Sequence, residues 1–285
     1  MERLGPWELA ENARGCAAAL AVGSEDSALG LIQRGLDPNE RPGAFTLFEL
    51  AVRGKAPRAA GALLAAGLGV ESRSSMGLTP LMLCALETDD PLWLALAARL
   101  LAQGADPNAR CPRGESALAM GCAGPGALAI AKILLAAGAD PRARNEWGQS
   151  ALHLAVEADQ ADAARALLEA GALVDEPGGD GATPLECALE RSGSGACAEV
   201  LLEFGADPGK LPSETAQMAR DCAGEAERPA GKGFPLGRPP RVAALVAAGR
   251  ALRERERVAA EAAQIDGAAD EPRGAPGVRQ PGARL

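Results

Sequence analysis

One position recurs along this chain too regularly for an ordinary globular domain. Phe48, Leu81, Leu118, Leu152 and Leu185 are separated by 33, 37, 34 and 33 residues. A second series, Gly35, Gly67, Gly104, Gly138, Gly171 and Gly205, advances by 32, 37, 34, 33 and 34. Two independent series in one register mean that a short structural unit is repeated. A unit of this length cannot bury an apolar face alone, so neighbours must stack into a quasi-one-dimensional array.

The clearest unit is Asn145–Ala172, reading NEWGQSALHLAVEADQADAARALLEAGA. Ser150 is placed to cap a helix, its oxygen taking one of the orphan N–H groups of the first turn. In two sister units the next residue is proline (Thr79-Pro80, Thr183-Pro184), which suits a first helical position that needs no N–H. Leu152, Ala155 and Val156 share one helical face. Asp159 to Asp162 ends that helix and begins a second, lined by Ala163, Ala166, Leu167 and Ala170. Gly171 supplies the positive φ that stops it.

The recurring words are Leu78-Thr79-Pro80-Leu81, Ser150-Ala151-Leu152-His153 and Ala182-Thr183-Pro184-Leu185, with Gly104-Ala105-Asp106-Pro107-Asn108 and Gly138-Ala139-Asp140 closing units. In these words and this period the chain resembles the ankyrin repeat family over about two thirds of its length. The resemblance implies an all-α fold, a solenoid of stacked helix-turn-helix units with β-hairpin-like loops. It also implies a non-enzymatic module that binds a partner protein through hairpin tips and the exposed side of the inner helices. By position, those residues are Met76, Leu78, Glu87, Arg113, Glu115, Glu146, Trp147, Gln149, Glu157, Asp180, Glu190 and Arg191. In such arrays the histidine of the helix-start word bonds to a neighbouring loop, so His153, the one histidine of the chain, is assigned a structural role.

The units are unequal. Residues 1–36 lack the Thr-Pro-Leu word but hold two short apolar helices, about Trp7–Ala21 and Ser27–Arg34. They form a degenerate N-terminal cap, with Trp7 packed on the first layer. Five recognisable units fill 37–210. The first keeps its cap in Thr46-Leu47-Phe48 but lacks the proline. The next has extra residues around Thr88-Asp89-Asp90-Pro91, expected to lengthen the loop between its helices, with Trp93 early in the second. Gly124-Pro125-Gly126-Ala127-Leu128-Ala129 matches a dinucleotide fingerprint by letters only, because it falls between two helices rather than after a strand. The tip Glu176-Pro177-Gly178-Gly179-Asp180-Gly181 is rich in turn formers. Residues 211–222 read as a degenerate last repeat, 223–240 as a linker, and 241–265 as a helix. Its stripe Val242, Leu245, Ala248 and Leu252 caps the array, and its polar half Arg253–Arg257 projects into solvent. Residues 266–285 read as a disordered tail.

Composition narrows the chemistry. With aromatic residues at 2% and no tyrosine, alanine and leucine must do the packing. Residues 1–208 hold 16 of the 29 basic and 28 of the 38 acidic side chains, a net charge of −12. An acidic array repels phosphate backbones and favours a basic partner surface over nucleic acid. Seven cysteines without C-x-x-C spacing, beside one histidine, do not make a zinc site; they read as reduced core residues of a cytoplasmic chain. No apolar run reaches membrane-spanning length. No phosphate loop or nucleophile elbow occurs, and no catalytic residue, cofactor or metal is assigned. A monomer is expected. The competing reading is a dedicated regulator or inhibitor of one enzyme, acting through the Arg/Glu-rich C-terminal helix or the tail.

Overall fold

A computed structural model defines residues 6–190, 195–219 and 247–259, with side chains from residue 11 onward. Helices come in pairs: α1 (Pro6–Ala21) and α2 (Glu25–Gln33), α3 (Leu47–Arg53) and α4 (Pro57–Ala65), α5 (Pro80–Leu86) and α6 (Pro91–Ala102), α7 (Ala117–Gly121) and α8 (Ala127–Ala136), α9 (Ala151–Glu157) and α10 (Ala161–Glu169), α11 (Pro184–Glu190) and α12 (Ala196–Glu203). A 3₁₀ turn, Pro208–Lys210, follows, then helical residues 213–219 (α13) and 247–259 (α14). Odd-numbered helices from α1 to α11 stack on each other as an inner row, and α2 to α12 as an outer row. Among the described residues there is no strand, only one antiparallel bridge, Arg144–Ser150. The fold is an all-α solenoid.

The helix starts follow from their caps. Thr46, Thr79, Ser116 and Thr183 oxygens accept from Glu49 N, Met82 N, Ala119 N and Glu186 N at 3.0–3.3 Å. Each unit closes on a glycine at positive φ, as Gly171 does at 95°. Between them lies one continuous core of alanine and leucine, with Leu152, Ala155 and Val156 fully buried. Ala170 is exposed, because it is already the C-cap of α10; Ala164 and Leu168 are buried instead.

Two ladders hold the units in register. Asn39 Nδ2 donates to Gly67 O and its Oδ1 accepts from Gly69 N; Asn108 repeats this on Gly138 and Asp140. Glu71 and Asp175 accept from Asp106 N and Asp207 N, and Arg142 Nε donates to Gly171 O. The second ladder is built of arginine. Arg41 donates to Arg73 O, Arg73 to Arg110 O at 2.8 Å, Arg110 to Arg144 O at 2.7 Å and Arg144 to Pro177 O at 2.6 Å. Each guanidinium thus clamps its hairpin to the next, with charge-assisted bonds.

One expectation changes. The extra residues of the third pair lengthen the outer helix more than the loop: α6 has 12 residues, against 9 in α4 and α10. Asp90 caps it through Leu92 N, Pro91 takes its first position, and Trp93, 2% exposed, pins the added turn into the core. The sixth hairpin is tied at its tip, by Gly178 N to Ala182 O, Gly181 N to Gly178 O and Ala182 N to Asp180 Oδ1. Ser150 starts α9 in a capping box with His153, its hydroxyl also lying 2.9 Å from His153 Nδ1. At the C-terminal end Ala248 and Leu252 of α14 are buried, Arg255 pairs with Asp207, and residues 254–259 are exposed. The Trp7 side chain, Val242, Leu245, Cys222, the linker 223–240 and the tail 266–285 lie outside the described residues.

Candidate protein-binding face

The exposed edge of the inner row is organised by the same register. Met76, Arg113, Trp147 and Asp180 each stand immediately before a glycine at positive φ (Gly77, Gly114, Gly148, Gly181), so they occupy successive hairpin tips. Met76 is 61% and Trp147 47% exposed. The Trp147 backbone is fixed by its N–H to Asn145 Oδ1 (3.1 Å), and the Arg113 guanidinium lies 5.9 Å from its ring centroid. The tip is therefore an ordered backbone presenting an open indole.

The remaining residues assigned from sequence divide into groups. Glu146 is exposed beside Trp147, and its N–H donates to Arg113 O, joining two tips. Gln149 Nε2 donates to Glu157 Oε1 at 3.2 Å, so the hairpin shoulder and the end of α9 share one face. Glu115, half-buried, accepts from Cys111 Sγ. Glu87 caps the end of α5 and pairs with Lys55, on the connecting-loop side rather than at a tip. Asp180 and Glu190 are exposed, and Glu190 accepts from Thr215 Oγ1. Leu78 does not belong to the face: it is 7% exposed, and its N–H and C=O pair with Ser74, turning the side chain into the core. Arg191 lies outside the described residues.

Two groups that position the face were missed in the sequence, although the same period marks them. One is the arginine series 41, 73, 110 and 144. Arg144 is its most connected member, donating also to Gly148 O and pairing with Glu176 at 3.1 Å. The other is Glu49, only 4% exposed, whose carboxylate accepts both Ser75 N (3.0 Å) and Ser75 Oγ (2.7 Å). A buried carboxylate of an inner helix thus anchors the next hairpin.

His153 occupies the Glu49 register in α9. Its Nδ1 accepts from Ser150 N at 3.2 Å, which puts the ring proton on Nε2. That nitrogen is buried beside Gly178 and has no partner among the described residues, so the bond to the neighbouring loop implied by the family resemblance is absent. Burial lowers the imidazole pKa below its ordinary value, and Arg144 adds to the shift; Glu157, Glu176 and Asp180 oppose it.

Beyond the sixth hairpin, Asp180, Gly181, Ala182, Glu186, Cys187, Glu190, Lys210 and Pro212 line an open cleft of about 410 Å³. Glu186 is in the register of Glu49 and His153, and residues 211–212 pass into α13 without forming another hairpin. Lys210 is drawn to Asp175, at 3.2 Å.

Among the described residues no group of three or more His, Cys, Asp and Glu is placed to hold a metal, and no helix is long and apolar enough to cross a membrane. None of the six described cysteines is in a disulfide, and all six are buried.

The chain matches the family of ankyrin repeats, in three copies, over residues 118–211, and the single ankyrin repeat over residues 76–112. No curated protein matches it.

Proposed function

The chain is an ankyrin repeat domain-containing protein, and ankyrin repeats are in general protein–protein interaction modules; on that premise we propose that it is non-enzymatic and binds a partner protein on its concave face. The observation that carries this reading is Trp147. A large aromatic side chain stands 47% exposed on a tip whose backbone is bonded on both sides. Tryptophan, with tyrosine and arginine, is enriched among the interface residues that dominate binding energy. The protein is then a monomer in a reducing cytoplasm, in keeping with six described cysteines that are buried and in no disulfide.

The experiment is affinity capture from native lysate with the full chain and with Trp147→Ala/Glu157→Lys. A prey captured by the parent and lost from the double variant, with both proteins folded by circular dichroism, supports the reading. Prey retained equally by both places binding elsewhere and overturns it.

A further inference from the structure

The ends of α3, α5, α9 and α11 and the turn just after α7 contribute one residue each in strict register: Arg53, Leu86, Ala123, Glu157 and Glu190, at steps of 33, 37, 34 and 33. Arg53, Leu86, Ala123 and Glu190 are exposed and Glu157 is half-buried. Along the array this row runs from cation through apolar side chains to carboxylates. Two neighbours reinforce its apolar and acidic parts, although Arg113 stands in the tip row and Lys210 borders the cleft. Met76 opens the tip row on the apolar side, and Glu186 joins Glu190 in the cleft at the acidic end.

Resting on the concave-face reading above, we propose that the ligand is an extended segment of a partner protein with an apolar anchor and a cationic anchor. The apolar side chain seats over Leu86 and Ala123. The arginine or lysine seats against Glu157, Glu186 and Glu190. Charge complementarity fixes the direction, because a ligand laid the other way would bring its cation against Arg53. Inner helices packed roughly 8–10 Å apart put the α5 and α9 positions about 16–20 Å from each other. An extended chain spans that distance in about five to six residues, so the two anchors are separated by that many positions.

The test is selection of random 16-residue peptides displayed on phage against the full chain, repeated against Leu86→Ser, Glu157→Lys/Glu190→Lys and Trp147→Ala/Glu157→Lys, each checked for an unchanged far-ultraviolet spectrum. The expected result is enriched peptides in which an apolar residue and an Arg or Lys recur about five to six positions apart, always in the same order. Individual synthetic peptides should bind Leu86→Ser and Glu157→Lys/Glu190→Lys at least ten-fold more weakly than the parent. Enriched peptides without that pair, yet lost on Trp147→Ala/Glu157→Lys, overturn the ligand chemistry and leave the concave face standing. Peptides that bind every variant like the parent overturn both. A library that enriches nothing overturns the ligand proposal, while the capture experiment still decides the face.

Discussion

Arg144 joins the fifth hairpin to the sixth, and its removal has a magnitude that the geometry sets. Its guanidinium donates to Gly148 O at 2.7 Å and Pro177 O at 2.6 Å and pairs with Glu176 at 3.1 Å. Arg144→Met keeps the aliphatic stem and deletes the three contacts. A bond from a charged donor contributes about 1.5–3 kcal/mol when well buried. The Arg144 side chain is 36% exposed, so each carbonyl bond is taken at about 1 kcal/mol and the ion pair at less than about 1 kcal/mol. The expected loss is roughly 2–3 kcal/mol, read as a fall in the urea midpoint at pH 7.5 followed by tryptophan fluorescence. Arg41→Met is the control. Arg41 is exposed and makes a single ladder bond, so its loss should stay within about 0.5 kcal/mol. Arg144→Met also removes one cause of the lowered His153 pKa, so the variant should be less acid-sensitive than the parent. Equal midpoints for Arg144→Met and the parent would refute the clamp, and so would equal losses in the two arginine variants.

The other expectations are shorter. Leu152→Ala empties a fully buried site in the middle of the stack and should cost roughly 2–5 kcal/mol in the same denaturation; a midpoint equal to the parent's contradicts the packing. His153 has a folded pKa below 6.5, so the unfolded chain binds the proton first as pH falls. Stability should therefore drop from about pH 6.5 down through the folded value, and His153→Gln should flatten thermal melts taken across that window. Burial pushes the thiol pKa of Cys16 to about 11 and those of Cys122 and Cys197 to about 12. Peptide mapping after native alkylation at pH 8 should find these three unlabelled, and labelling at the rate of a free thiol would show that the core opens.

The array was legible because period, caps and closing glycines are local: Thr79, Ser150 and Gly171 announce helix ends without reference to anything distant. Trp93 shows the limit. Its extra residues could be counted in the sequence, but whether they lengthened a loop or a helix depended on a buried site for Trp93 that no local signal describes. Leu78 failed for a related reason, since a hairpin shoulder reads as surface until Ser74 takes both its backbone groups. The charge trend from Arg53 to Glu190 was present in the sequence. It became readable only once the inner-helix ends were known to form one row.

Gly179 tests whether the tips depend on close backbone approach. A Cβ there would fall 2.0 Å from Trp147 O and 2.8 Å from Trp147 C, both backbone atoms of the neighbouring tip. Neither can swing aside as a side-chain end would, so Gly179→Ala must move one hairpin from the other by more than about 1 Å to restore a normal contact. Gly181 is the comparison: its φ of 86° strains any substituent, yet no atom lies within 4 Å of the added Cβ. Gly181→Ala should therefore lower stability by about 1–2 kcal/mol through backbone strain alone and leave Trp147 emission unchanged. Gly179→Ala should shift Trp147 emission and weaken any ligand that Trp147→Ala weakens. If the emission shift appears in Gly181→Ala instead, then backbone conformation rather than tip contact sets the position of Trp147, and the rigid face must be traced to the hairpin's own turn.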